Sequence, residues 1–250
     1  MNSPHAIIFD LDDTLAESFK RPSDEILGKL GVLLEHIPVA IMTGSGFKRM
    51  ESQFLPVIAG FAHTERFYLF PNSSAQCYVL EDGAWVQVYN LALTSDERAD
   101  IKATIEKVVN ESEMLRDIPY AGERMFDREA QVAYTPVGID ATLETKLTWD
   151  ADGAKRRFFF NALSQALPQF EVLLGGMTTI DITRKGINKS YGVKWLSERL
   201  GIPAALMLYV GDAFEEGGND RVVMQTGIQT HPVSGPLQTG SFMDEILPTF

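Results

Sequence analysis

The chain has 250 residues, 45% hydrophobic and 22% charged, the balance of a soluble globular protein with core enough for one or two domains. Its 22 Lys and Arg face 34 Asp and Glu, a formal charge of −12 that repels nucleic-acid backbones and anionic lipid surfaces. No basic stripe offsets that charge, so neither a nucleic-acid nor a membrane partner is expected.

In chain order, the first five residues carry no basic lead-in, and the apolar run Ala6-Ile7-Ile8-Phe9 is too short for a signal-peptide core. A cytoplasmic chain is therefore expected. That run reads as a buried strand and stops at Asp10-Leu11-Asp12-Asp13-Thr14. Residues 23–34 follow as a helix, with Ser23 as its cap and Ile26, Leu27, Leu30, Leu33 and Leu34 as its apolar stripe. A second strand, Val39-Ala40-Ile41-Met42, stops at Thr43-Gly44-Ser45-Gly46. Residues 77–80 and 85–89 flank an Asp82-Gly83 turn and read as a hairpin. The single cysteine, Cys77, lies in an apolar stretch, reads as a packing residue and allows no intramolecular disulfide.

The middle of the chain changes grammar. A helix is predicted over 95–109, a strand over 131–135, a helix over 151–167, and two strands over 170–174 and 178–183. Asp150 and Asp152 form a second Asp-x-Asp pair, expected in a surface loop. A helix over 189–200 ends at Gly201-Ile202-Pro203, and a third buried strand, 206–210, stops at Gly211-Asp212. The expected fold class is α/β: a Rossmann-like parallel-sheet core from 1–83 and 185–250, with an inserted α+β cap domain at 84–184.

Short, wholly apolar runs suit strands buried on both faces of a parallel sheet, and ligands bind beyond the carboxyl ends of such strands. Three polar motifs at three strand ends therefore converge on one site. Carboxylates gathered at a buried strand end repel one another unless a cation joins them, and hard oxygen donors suit Mg2+. Asp212, with Asn219 and Asp220 in the glycine-rich Gly217-Gly218-Asn219-Asp220 loop, supplies the complementary acidic cluster. Thr43, Gly44 and Ser45 offer hydroxyls and N–H groups at a strand-to-helix junction, a phosphate cradle. Lys189 opens a helix and presents its ammonium beside that helix's N-terminus.

Taken in order, Asp10-x-Asp12-x-Thr14, Thr43-Gly44-Ser45, Lys189 and Gly211-Asp212 with Asn219-Asp220 resemble the four motifs of the haloacid dehalogenase-like phosphotransferases. Within that superfamily the chain resembles the branch with a large α+β cap, and most of all the eukaryotic-type phosphomannomutase family. Gly44-Ser45-Gly46-Phe47, Thr135-Pro136-Val137-Gly138 and Gly175-Gly176 through Asp181 carry the closer likeness. The resemblance implies that Asp10 is the nucleophile and forms an aspartyl-phosphate, with Asp12 as general acid and then base. It also implies that Mg2+ is held by Asp10, Asp212 and the Asp12 backbone carbonyl, with Asn219 and Asp220 in support, while Thr43 and Lys189 hold the phosphoryl oxygens. Asp13 departs from the small residue the family places there. In the cap, Arg128, Thr179 and Asp181 fall where the family binds sugar hydroxyls and a distal phosphate.

A receiver-like signalling domain also phosphorylates an aspartate at a strand end, but it lacks any cap. A dead sugar-phosphate sensor would have lost Asp10 or Asp12. An enzyme acting on a small phosphorylated sugar, as monomer or homodimer, is expected. Ile139 stands where the mutases carry an arginine, a second arginine position falls near Lys146, and a third has only Lys20-Arg21 nearby. With the distal phosphate held poorly, water should discharge the phosphoenzyme. The expectation is a Mg2+-dependent sugar phosphatase, with phosphomannomutase as the alternative.

Overall fold

Four buried apolar residues at Ala6–Phe9 form β1. Helix α1 (Asp24–His36) follows, capped by the Ser23 hydroxyl, which accepts the Ile26 N–H at 3.2 Å. Next come β2 (Val39–Met42), the short helices α2 (Phe47–Gln53) and α3 (Leu55–Ile58), and β3 (Phe67–Phe70). The hairpin of β4 (Gln76–Glu81) and β5 (Ala84–Asn90) turns at Asp82 and Gly83, both at positive φ as a two-residue hairpin loop requires. Helix α4 (Ser95–Glu111) opens with a complete capping box between Thr94 and Glu97. Then come β6 (Met125–Asp127), β7 (Val132–Tyr134), α5 (Leu143–Trp149), α6 (Ala154–Ala166), β8 (Phe170–Gly175) and β9 (Thr179–Arg184). The chain continues with α7 (Lys189–Leu200), β10 (Met207–Gly211), β11 (Gln229–Pro232) and α8 (Pro236–Ile246). This computed structural model describes residues 3–250.

The contacts divide the chain into two compact units, one running to Asn90 and resuming as Asn188–Phe250, the other Leu91–Ile187. The first holds a seven-stranded sheet in the order β11-β10-β1-β2-β3-β4-β5, with the first five strands parallel and the hairpin antiparallel at one edge. Ile7, Phe9, Val39, Ile41, Leu208 and Val210 pack on one face with the leucines of α1. Ile8, Ala40, Met42 and Tyr209 pack on the other with Val193 and Leu196 of α7. Successive side chains alternate across the sheet, so a strand buried on both faces must be apolar throughout, which is why these runs are unbroken. Strand order reverses at β1, flanked by β2 on one side and the late strand β10 on the other. The crevice at their carboxyl ends is where such sheets bind ligands. At the far edge, Tyr89 of β5 packs edge-on against Tyr191 (5.9 Å) and Trp195 (5.2 Å) of α7.

The second unit is a four-stranded antiparallel sheet, β6-β7-β9-β8. Val132, Tyr134, Ile180, Ile182 and Val172 line one face against Ile101 and Ile105 of α4 and Phe159 and Leu163 of α6.

Some boundaries differ from those read in the sequence. The insertion limits of 84 and 184 move to 91 and 187, because β5 is hydrogen-bonded to β4 and stays with the parallel sheet; a limit at 84 cuts the hairpin in two. The helix expected from 151 begins at Ala154. Asp150 is buried, not in a solvated loop, and its carboxylate accepts the N–H groups of Lys155 and Arg156 at the helix start. The third core strand begins at Met207, since Leu206 ends a 3-10 turn. Among the described residues, no helix is long and apolar enough to cross a membrane.

Candidate active site

Three parallel strands of the core each deliver one piece of the site. Asp10 follows β1, Thr43 follows β2, and Asp212 follows β10. Lys189, the first residue of α7, is fully buried, and its Nζ donates to Asp10 Oδ1 at 2.7 Å and to Asp220 Oδ1 at 2.6 Å. Tyr209 Oη also donates to Asp220 Oδ1 at 2.6 Å, and the Ala213 N–H donates to Oδ2 at 3.2 Å. Asp220 thus has both oxygens engaged in holding Lys189 and the loop. Thr14 Oγ1 donates to Asp212 Oδ1 at 3.2 Å.

Ligand oxygens of Asp10, Asp212 and Asp220 lie within 4.8 Å of one another. Three carboxylates against one ammonium leave two negative charges, which a single divalent cation neutralises; the all-oxygen donor set fits Mg2+. Asp10 and Asp212 keep more of their oxygen capacity for it than Asp220 does. Electrostatics agree. Burial, the largest effect, pushes Asp10 well above the usual carboxylate range, with Lys189 pulling it down and Asp220 and Asp212 adding to burial. Asp212 is pushed up to about 6, mainly by burial and then by Asp220. Burial works to lower Lys189, but the carboxylates of Asp10 and Asp220 outweigh it and hold the ammonium charged.

Asp12 has a different neighbourhood. Its Oδ1 accepts the Phe19 N–H (2.8 Å) and Arg49 Nη2 (2.8 Å), and its Oδ2 accepts Arg49 Nη1 (2.7 Å) and Ser45 Oγ (3.2 Å). Arg49 was not legible as a site residue from its neighbours in the chain. One signal pointed to it: a cation in the first turn of a helix opposes the helix dipole and needs a local anion. Asp13, the departure from the family pattern, adopts a left-handed conformation and accepts the Ser18 N–H and hydroxyl, both at 3.1 Å. It fastens the turn beneath Asp12.

The loop after β2 is held by three consecutive left-handed residues, Asn72, Ser73 and Ser74. Ser73 N–H donates to the Thr43 carbonyl at 2.8 Å, and Asn72 N–H to the Ser45 carbonyl at 3.0 Å. Non-glycine residues in this region cost about 1–2 kcal/mol each, and nothing in the apolar patterning announced them. Thr43 Oγ1 accepts the Ser45 N–H at 3.0 Å, which closes the turn around Gly44. Asn219 is half-buried in the loop that ends at Asp220.

In the second unit, alternation along β9 places Thr179 and Asp181 on the face opposite the apolar core, and register brings Ala133 and Phe126 to that same face. Arg128 continues it. Its Nη1 donates to Gln131 Oε1 at 3.0 Å, and its guanidinium lies 5.5 Å from the Phe126 ring. Arg124, which the sequence did not single out, lies over the rings of Tyr120 (4.5 Å) and Tyr134 (5.1 Å), with Nε and Nη2 buried and unpaired. Lys146 Nζ donates to the carbonyl of Ile139 at 3.0 Å.

A parallel core of this strand order, with acidic strand ends around a buried lysine and an α+β insertion, defines a haloacid dehalogenase-like protein. Solved structures share the architecture: an IMP-bound Plasmodium falciparum IMP-nucleotidase superposes with a TM-score of 0.74 at 16% identity, over 98% of this chain and 68% of that one. A haloacid dehalogenase-like hydrolase from Bacteroides thetaiotaomicron superposes at 0.63 and 14% identity, over 99% and 100% of the two chains. The family model for eukaryotic phosphomannomutase matches residues 26–249, and a phosphomannomutase of Spinacia oleracea is 24% identical over 97% of this chain and 95% of its own. The chain belongs to the eukaryotic phosphomannomutase family.

Proposed function

We propose that the chain is a phosphomannomutase, moving a phosphoryl group between mannose 1-phosphate and mannose 6-phosphate through an aspartyl-phosphate on Asp10. The observation that carries the chemistry is the buried Lys189 between Asp10 and Asp220, within a carboxylate cluster sized for one divalent cation. Lys189 occupies Asp10 Oδ1, so Oδ2 is the oxygen left to attack phosphorus, and the lysine neutralises charge that would otherwise repel the phosphoryl group. Asp12 gives its proton to the departing sugar oxygen and later takes one from the incoming hydroxyl. The Thr43-Gly44-Ser45 turn and Lys189 hold phosphoryl oxygens. Mg2+, held by Asp10 and Asp212 with the Asp12 carbonyl, supplies charge neutralisation and in-line alignment when bound. In the second unit, Arg128, Thr179 and Asp181 contact the sugar and its distal phosphate, and the unit acts as the specificity cap. Membership of the family, with a match that includes this unit, favours the mutase.

A specific observation favours the second reading, a sugar phosphatase. Ile139 lacks the guanidinium the mutases carry there, and the nearby Lys146 ammonium is bound to the Ile139 carbonyl. The deciding experiment incubates the protein with Mg2+, mannose 1-phosphate and a catalytic amount of hexose 1,6-bisphosphate. Mannose 6-phosphate forming faster than inorganic phosphate supports the mutase; the reverse supports the phosphatase. Asp10→Asn should remove both products while leaving the circular dichroism spectrum unchanged. Retention of more than a few per cent of turnover would sink the Asp10 assignment.

A further inference from the structure

An ionised carboxylate has about four lone-pair sites. In Asp12 all four are filled: by Phe19 N–H, by both arms of the Arg49 guanidinium and by the Ser45 hydroxyl. As it stands, Asp12 can neither carry a proton toward a leaving oxygen nor accept one from an attacking oxygen. A donor has to withdraw first. The Phe19 N–H belongs to a turn whose own carbonyl is tied to Gln53 Nε2. Arg49 supplies two of the four bonds through a long side chain and has other partners to hold it: Ser45 Oγ at 2.6 Å, the Lys20 carbonyl at 3.1 Å, Gln53 Oε1 at 3.3 Å and the Phe19 ring at 5.2 Å. It is the donor able to leave without being stranded.

We propose that Arg49 is a positioning residue that selects the acceptor of the phosphoryl group, clamping Asp12 against water and releasing it to a bound sugar. The proposal rests on Asp12 being the acid and base of the reaction. In the discharge step the acceptor oxygen bonds to phosphorus, the bond from phosphorus to Asp10 Oδ2 breaks, and the acceptor's proton passes to Asp12. Opening the clamp raises the barrier to that step. A sugar bound through its other groups offsets the cost with binding energy realised in the transition state. A water molecule brings no such contacts, so the clamp slows hydrolysis more than transfer.

The test forms the phosphoenzyme from acetyl phosphate with Mg2+, acetate leaving as Asp10 is phosphorylated, and follows its loss to water with no sugar present. Arg49→Met should speed that loss by about tenfold, equivalent to about 1.4 kcal/mol of barrier, and Arg49→Lys, with one prong, should lie between. In the mutase assay, Arg49→Met should raise the ratio of inorganic phosphate to hexose 6-phosphate by a similar factor. A merely structural arginine predicts the opposite, a slower variant. If Arg49→Met does not fold, Arg49→Gln is read in its place. Unchanged or slower discharge in the variant, with Asp12→Asn slowing both backgrounds, overturns the clamp and leaves the reading of Asp12 intact. Discharge that stays fast when Asp12→Asn is added to Arg49→Met overturns Asp12 as the base, and the clamp with it.

Discussion

Lys189 is a full positive charge with almost no access to water, and it is tolerated because two carboxylates sit against it. Removing one member of such a group leaves uncompensated charge in a poorly solvating place. Lys189→Met should therefore cost about 3–5 kcal/mol, read as a lower urea midpoint at pH 7, with part recovered on adding Mg2+. The carboxylates themselves predict a pH dependence. Asp212 is raised to about 6, above its value in the unfolded chain. The metal-free fold therefore binds the proton better than the unfolded chain does, and that stabilisation fades as pH rises toward and through about 6. Mg2+ needs the deprotonated form. In EDTA the Tm should fall between pH 5 and pH 7, Mg2+ should restore more of it at pH 7, and Mg2+ affinity should rise about tenfold over that interval. A Tm rise on adding Mg2+ that is equal at the two pH values would contradict the assignment. Asp10 and Asp212 were legible in the sequence because each follows a buried strand directly, Lys189 because it opens a helix, and Asp220 because it closes a glycine-rich loop. Arg49 and Arg124 were less so: Arg49 finds its carboxylate, Asp12, 37 residues away, and Arg124 lies over tyrosine rings that no motif marks.

At the scale of elements, legibility followed apolar patterning. Ala6–Phe9 and Val39–Met42 fell where wholly apolar runs placed them, and the hairpin followed from Asp82-Gly83. The strand Phe67–Phe70 has the same apolar grammar, but the Pro71-Asn72-Ser73-Ser74 stretch that follows it carries no charged group to mark a site. Gln229–Pro232 is an edge strand with half-exposed residues, so it has no reason to be apolar. The strand Met125–Asp127 is three residues long, and its one polar residue, Asp127, falls on the same face as Met125 and Val132, so it shows no apolar alternation. The helix Leu143–Trp149 is two turns long and buries only Trp149, so it leaves almost no stripe. Caps are another matter, since Thr94 and Glu97 satisfy each other's backbone through side chains alone. Glu97 also pairs with Arg184. Thr94→Ala should lower the stability of the inserted unit by about 1 kcal/mol, checked through the fluorescence of Trp149, the unit's only tryptophan.

At the scale of the whole molecule, the class of fold was legible because parallel strands and crossover helices impose different periods on the sequence. The limits of the insertion were not, because the hairpin before it shares the alternation of the strands within it. The two units also differ in how their sequence is arranged. The inserted unit is one continuous stretch, whereas the core joins residues before Leu91 to residues after Ile187. The contact of Tyr89 with Tyr191 and Trp195 closes the loop that contains the whole insertion. Closing an unstructured loop on the order of 100 residues costs about 4 kcal/mol, so the core gains if the insertion has already condensed. During synthesis from the amino terminus, β1 emerges with one hydrogen-bonding edge bare, since the strand that pairs Met207 with Ala6 is made only after the whole insertion. Asp10 is therefore translated early but meets Lys189 and Asp220 only after the insertion has left the ribosome, and a chain interrupted before them holds an open apolar sheet and no assembled charge cluster.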